Sequence, residues 1–249
     1  MINRYASLKQ GLVGCWCPSA RGSFGYRLPD LSGYGNHGTL TNMDPGTDWV
    51  PSGGKLALDF DGSNDGVSVG SFNMNTLNNS NNCVSLWLNP TTTNTISRPF
   101  AVGEFGTGFA LRFNFQNLEF TFGGTAVLSV SMDNASYAGK WTHILGVADN
   151  SGARLFFNGV QVGTRSDTVG ITKTIGLGIG YRFGVNSDYF TGQLDDVRIY
   201  NRALTPQEIR LLYTGGRGIG LMPERIKHRR KTTASASNRR RRLICGANC

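Results

Sequence analysis

The sequence predicts an all-β fold, a sandwich or barrel of short antiparallel strands, with one short C-terminal helix and a basic tail. Three observations lead there. Glycine is abundant, 34 of 249 residues, while charged residues make up only 16%, a balance that suits short strands and tight turns. Apolar residues recur with period two in successive segments. Turn signals separate those segments, which argues against alternating strands and helices.

The elements follow in order. Leu56 to Phe60 and Val67 to Val69 alternate. Val84, Leu86 and Leu88 share one face, with Cys83, Ser85 and Trp87 on the other. Phe109, Leu111, Phe113 and Phe115 alternate with Ala110, Arg112 and Asn114, and Leu118, Phe120 and Phe122 with Glu119 and Thr121. Such patterns are expected where a strand buries one face. Trp141 to Ala148 and Arg154 to Phe157 read as strands, and Asn158-Gly159 before Val160 to Val162 is a hairpin signal, since both turn residues must adopt positive φ. Ile175 to Ile179 and Leu194 to Tyr200 complete the set. Thr205-Pro206-Gln207-Glu208 marks a helix start with a capping threonine, a proline at the first helical position and a glutamate three residues after the cap. Ile209, Leu212 and Tyr213 continue it, and Gly215-Gly216 stops it. Of the cap pair, Thr205 is expected to matter more, Glu208 supplying only the reciprocal bond. Trp16, Trp87 and Trp141 sit in strand-like contexts and are expected in the core.

Charge divides the chain in two. Residues 222–249 hold nine basic residues and one acid, a net +8, whereas residues 1–221 hold 16 basic and 15 acidic residues, a net +1. We therefore expect one domain over 1–221 and a tail over 222–249. Arg229, Arg230, Lys231, Arg239, Arg240, Arg241 and Arg242 are the tail's polyanion-binding candidates, for nucleic acid or an acidic protein surface; a merely solubilising end is the competing reading. No aromatic interleaves them, so base stacking is not indicated. The five cysteines, Cys15, Cys17, Cys83, Cys245 and Cys249, lack zinc-ribbon spacing and suit free thiols in a reducing compartment. We expect neither Sec-type export nor a membrane span.

Four segments in order resemble a known family: Leu31-Ser-Gly-Tyr-Gly-Asn-His-Gly38 after Asp30; Leu58-Asp-Phe-Asp-Gly62 with Asp65 behind it; Trp141-Thr-His-Ile before Ala153-Arg-Leu-Phe-Phe-Asn-Gly159; and Gly192-Gln-Leu-Asp-Asp-Val-Arg-Ile-Tyr-Asn-Arg-Ala-Leu204 before the capped helix. The set resembles a laminin-G-like domain of the concanavalin-A-like lectin/glucanase superfamily, over roughly residues 8–216. The resemblance implies a jelly roll of two packed antiparallel sheets, with the strand near Leu12-Val13 beside the one near Asp196-Val197.

Three chemistries follow. Glucanase relatives use Glu-x-Asp-x-x-Glu, whose alternation points two acids into one cleft. None of the four glutamates here, Glu104, Glu119, Glu208 and Glu224, has an acid two residues away, and adjacent Asp195 and Asp196 face opposite sides of a regular strand. We expect no enzyme. The resemblance places the Asp30 loop near the Asp195-Asp196 strand, where some relatives hold a structural calcium; Asp30, Asn36, Asp195 and Asp196 are the candidate ligands. The competing reading is an Asx turn at Asp30 and a solvated acidic pair. Asp59, Asp61 and Asp65 are read first as turn chemistry. For sugar contact, the loop from Tyr181 to Tyr189 offers Tyr181, Arg182, Asn186 and Asp188, and Asn73 to Asn82 is a second exposed stretch; the competing reading has Tyr181 and Phe183 capping the core. The expected function is a non-catalytic, glycan-binding recognition module on a virus particle or cell-surface assembly. The alternatives are a structural decoration subunit anchored by its tail and a glycoside hydrolase without the family's motif.

Overall fold

A computed structural model describes residues 5–21, 25–103, 108–123, 126–167, 170–172 and 176–218. The strands in chain order are β1 (Leu12–Trp16), β2 (Arg27–Leu28), β3 (Gly38–Thr41), β4 (Trp49–Ser52), β5 (Lys55–Asp61), β6 (Gly66–Ser68), β7 (Asn82–Pro90) and β8 (Ile96–Val102). They continue with β9 (Phe109–Asn114), β10 (Asn117–Phe122), β11 (Ala126–Ser131), β12 (Thr142–Asp149), β13 (Gly152–Phe157), β14 (Val160–Arg165), β15 (Leu177–Ile179) and β16 (Thr191–Tyr200). One sheet runs β14-β13-β12-β7-β16-β5-β4 with β1 also on β16, and the other runs β11-β10-β9-β8-β15-β6-β3-β2. The fold is an antiparallel β-sandwich, as the sequence predicts. The chain's first and last strands meet, Cys15 opposite Arg198 and Trp16 opposite Val197.

The main core lies between the sheets. Val84, Leu86 and Leu88 of β7 face it, together with Phe60, Phe100, Phe113, Phe120 and Phe190, large side chains whose burial dominates the drive to fold. The other face of β7 is covered too. Cys83 joins Leu8, Leu145, Tyr200, Ile209 and Leu212 in a second apolar cluster, built where the outer face meets the helix Pro206–Gly215. Alternation therefore marks two buried faces on β7 rather than one. The helix has the cap the sequence predicts: Thr205 Oγ1 accepts from Glu208 N–H and Glu208 accepts from Thr205 N–H. The Asn158-Gly159 turn has φ of 51° and 77°, as a two-residue hairpin requires.

Some local expectations are corrected. Phe115 is not the end of a strand but a turn residue at φ 44°, 58% exposed. Trp141 precedes β12 rather than opening it and is only half-buried; its Nε1 donates to Ser52 Oγ at 3.0 Å. Trp87 is likewise half-buried, between His143 and Tyr213, whereas Trp16 is fully buried. β8 was hidden in the sequence by Arg98 and Pro99. Cys15, Cys17 and Cys83 are free and buried, and burial pushes their thiols up. Cys245, Cys249, Glu104, Glu224, Ile175 and the basic residues Arg229, Arg230, Lys231, Arg239, Arg240, Arg241 and Arg242 lie outside the described residues. Among the described residues no helix is long and apolar enough to cross a membrane.

Candidate functional site

Three loops at one end of the sandwich meet at a cleft of about 70 Å³. The segment after β15 supplies Tyr181, Asn186 and Tyr189, the end of β3 and the residue after it supply Thr41 and Asn42, and the β5–β6 connection and the first residue of β6 supply Asn64 and Gly66. The Tyr181 and Tyr189 rings stack, 6.0 Å between centroids and 15° between planes. Tyr181 is 7% exposed; burial, opposed by the neighbouring Ser68 side chain, moves the phenol up. Tyr189 is the more open ring. The pair sits low because Gly66 has no side chain: a Cβ there would come within 2.6 Å of Tyr181 Cδ1.

Each loop is fixed by its own sequence. Arg182 N–H donates to the Ser187 carbonyl at 2.9 Å and Asn186 N–H to the Arg182 carbonyl at 3.1 Å. Asn186 and Asp188 take φ of 53° and 55°, a region short polar side chains tolerate. Asp188 is tied to β8 twice, its carboxylate accepting from Arg98 Nε at 2.9 Å and its carbonyl from Arg98 N–H at 2.7 Å. In the β5–β6 connection Asp61 Oδ1 accepts from Ser63 N–H at 2.7 Å, and Asp65 Oδ2 accepts from Asp61 N–H at 3.0 Å. These are the turn roles the sequence suggests. Burial opposes ionisation of Asp61, but the N–H groups of Ser63, Asn64 and Asp65 outweigh it and hold the carboxyl below its usual range. Asn42 Nδ2 donates to the Asn64 carbonyl at 3.0 Å, joining two loops of the rim.

Of the residues read from sequence as sugar contacts, Tyr181 and Asn186 line the cleft. Arg182 and Asp188 instead shape the loop that presents them. Tyr181 also answers to the competing reading, since its ring closes the core's edge. Tyr189 ends the loop the sequence singles out but was not assigned, and neither were Asn42 and Asn64, since no spacing signal links turns that are distant in sequence. The Asn73 to Asn82 stretch is turn chemistry: Asn73 caps a short 3₁₀ helix and buried Asn82 bonds the Asn78 backbone at 2.6 and 3.0 Å.

The carboxylates considered for calcium are already engaged. Asp30 Oδ1 accepts from the N–H groups of Cys15 and Ser32, both at 2.9 Å, and Oδ2 from Ser32 Oγ at 2.7 Å and Asn36 N–H at 2.9 Å. Asn36 Nδ2 donates to the Val13 carbonyl, and its own carbonyl accepts from Trp16 Nε1. Asp196 pairs with Arg198 at 2.7 and 2.9 Å and accepts from Gly218 N–H at 2.8 Å. Asp195 Oδ1 accepts from Asp196 and Ser19 N–H; Oδ2 faces Arg217 Nε at 3.5 Å. Burial, reinforced by the Asp196 charge, raises Asp195 to about 6. Donors and a guanidinium group thus engage Asp30 and Asp196, while Asp195 Oδ2 has no hydrogen-bond partner. Among the described residues no group of three or more His, Cys, Asp or Glu side chains is placed to hold a metal.

The expectation that Asp195 and Asp196 diverge on a regular strand is also corrected. β16 shifts register between Asp195 and Arg198, and Asp196 sits at φ 52°. This bulge buries both carboxylates, and neither reaches the Tyr cleft. Of the glutamates, Glu119 is held by Arg112 and Asn114 and Glu208 by Arg202. Ser85 Oγ and His143 Nε2 lie 2.8 Å apart, but both are buried, and burial drives His143 down to about 3.

A family model described as the concanavalin A-like lectin/glucanases superfamily matches residues 61–210. A search of curated proteins returned no match. Among solved structures, domain 4 of AbnA, a GH43 extracellular arabinanase from Geobacillus stearothermophilus in complex with arabinotriose, is similar with TM-score 0.61 and 20% identity, covering 80% of this chain and 96% of that one. The receptor-binding domain of botulinum neurotoxin mosaic serotype C/D is similar with TM-score 0.65 and 18% identity, covering 83% of this chain and 51% of that one. A botulinum neurotoxin type C structure, whose cell entry is described as dependent on two ganglioside molecules, gives TM-score 0.61 and 17% identity, covering 84% and 52%. The chain spans about half the length of these toxin chains. At such identities the likeness is one of fold.

Proposed function

Because the chain belongs to the concanavalin A-like lectin/glucanases superfamily, whose fold by itself fixes no activity, we propose from its own cleft that it is a non-catalytic, carbohydrate-binding recognition module. One observation carries this reading: a stacked tyrosine pair floors the cleft, and the amide side chains of Asn42, Asn64 and Asn186 rim it. Aromatic rings receive the C–H face of a sugar, and amides both donate to and accept from its hydroxyls. The arabinotriose on the similar arabinanase domain and the gangliosides of the similar toxin lend support from the same fold. The body, residues 1–221, would be carried on a larger assembly such as a virus particle or cell surface. The basic tail, residues 222–249, would dock it on an acidic protein or nucleic acid.

The test is a glycan array probed with the full chain and with Tyr189→Ala. Tyr189 is the open ring of the pair, so its loss should remove binding without disturbing the core. Retention of an identical binding profile by the variant would rule out this cleft, and hydrolysis of a retained oligosaccharide would replace recognition by catalysis.

A further inference from the structure

Resting on the carbohydrate reading of this cleft, we infer that it is built for an uncharged sugar and discriminates against acidic ones such as sialic acids, uronic acids and sulfated residues. All the side chains that line it are neutral: two phenols, three amides and a threonine hydroxyl around Gly66. An anionic sugar gains most from a charge-assisted or bidentate bond to arginine or lysine, and no lining residue offers one. The arginines nearest in sequence do other work. Arg98 is buried against Asp188, with its Nε on that carboxylate, and Arg182 is not among the lining residues.

The surroundings add a penalty. The β5–β6 connection, which supplies Asn64, also carries Asp65, and Asp61 ends β5 just before it. Asp65 is buried, and its carboxyl is raised by that burial, lowered by the Asp61 N–H it accepts from, and raised again by the charges of Asp61, Asp48 and Asp59. Those charges disfavour a further anion beside Asp65, which stands in the chain between the lining residues Asn64 and Gly66. A carboxylate or sulfate on the ligand would meet no cation among the lining residues, and like-charge juxtaposition at a partly desolvated site disfavours the wrong partner. A neutral sugar needs only the ring face and the amides, both already in place. Two of the asparagines are also pre-set: Asn42 is bonded to the Asn64 carbonyl, and Asn186 lies in a turn closed by Arg182 and Ser187.

The experiment measures Tyr189-dependent affinity, defined as binding by the full chain that Tyr189→Ala loses. It is measured at about 0.3 M salt to screen the basic tail. The probes are matched pairs: lactose with 3′-sialyllactose, xylobiose with its glucuronic-acid-substituted form, and an array of further neutral, sialylated, uronic and sulfated glycans. We expect Tyr189-dependent binding among the neutral members and at least about tenfold weaker binding of the acidic partner in each pair. Asn64→Lys should narrow that gap by placing a cation on the rim. Tyr189-dependent binding of acidic members as tight as their neutral partners overturns the inference and leaves the carbohydrate reading standing. A gap unmoved by Asn64→Lys also overturns it, since charge would then not be the discriminator. No Tyr189-dependent binding to any member overturns the inference and the carbohydrate reading together.

Discussion

Glu208→Ala should destabilise the protein more than Thr205→Ala, reversing the order the cap motif alone suggests. Thr205 Oγ1 makes two bonds, both to Glu208, accepting from its N–H at 3.3 Å and donating to its Oε2 at 3.2 Å, and losing such a cap costs about 1 kcal/mol. Glu208 does more. It accepts from Thr205 N–H at 3.0 Å and from Arg202 Nη1 and Nη2, both at 2.8 Å. The same guanidinium donates to the Ser7 and Gln10 carbonyls at 2.9 Å, so Glu208 fixes the side chain that ties the N-terminal segment to the helix. Burial opposes its ionisation, but Arg202 and the Thr205 N–H override that and bring its pKa from 4.5 to about 2. Allowing for solvent at the helix end, we assign this carboxylate roughly 2 kcal/mol. A carboxyl depressed by folding stabilises fully above its unfolded pKa and loses that contribution as pH falls toward the folded one. About half should be gone near pH 3. Urea denaturation of wild type, Thr205→Ala and Glu208→Ala near pH 7 and near pH 3 measures this. A Glu208→Ala cost no larger than that of Thr205→Ala near pH 7, or one unchanged near pH 3, would refute the reasoning.

Three further outcomes are expected. Gly66→Ala should cost about 1–3 kcal/mol as overpacking against Tyr181 and weaken carbohydrate binding with it; unchanged melting and binding would show that the ring is not seated as described. Chelator should leave the melting curve unchanged, because hydrogen-bond donors and Arg198 satisfy Asp30 and Asp196; a drop in Tm that calcium reverses would restore the ion. Deleting residues 222–249 should preserve the fold and abolish a salt-sensitive association with heparin; heparin binding that survives truncation would place the basic site on the sandwich.

The sequence was informative where chemistry is local. Asn158-Gly159 announced its hairpin, Thr205 to Glu208 their cap, and Phe109 to Phe113 their buried face, because each rests on neighbours in the chain. It misled where tertiary contacts override the local rule. At the bulge Asp196 pairs with Arg198 in the interior, which adjacent aspartates on a regular strand cannot foretell. β8 carries buried Arg98 only because Asp188, ninety residues on, neutralises it. The cleft was half legible for the same reason: Tyr181 and Asn186 share one loop, whereas Asn42 and Asn64 arrive from two others. The resemblance suggested a cation at Asp30, whose oxygens the N–H groups of Cys15, Ser32 and Asn36 engage in the structure.

The most direct measurement is an NMR titration of the tyrosine ring resonances with whichever oligosaccharide the array retains. Tyr213, which stacks on Trp87 on the outer face of the other sheet, serves as the internal control. We expect the Tyr181 and Tyr189 rings to shift in saturable fashion while Tyr213 stays still. Saturable shifts at Tyr213, with Tyr181 and Tyr189 silent, would contradict the assignment of the cleft.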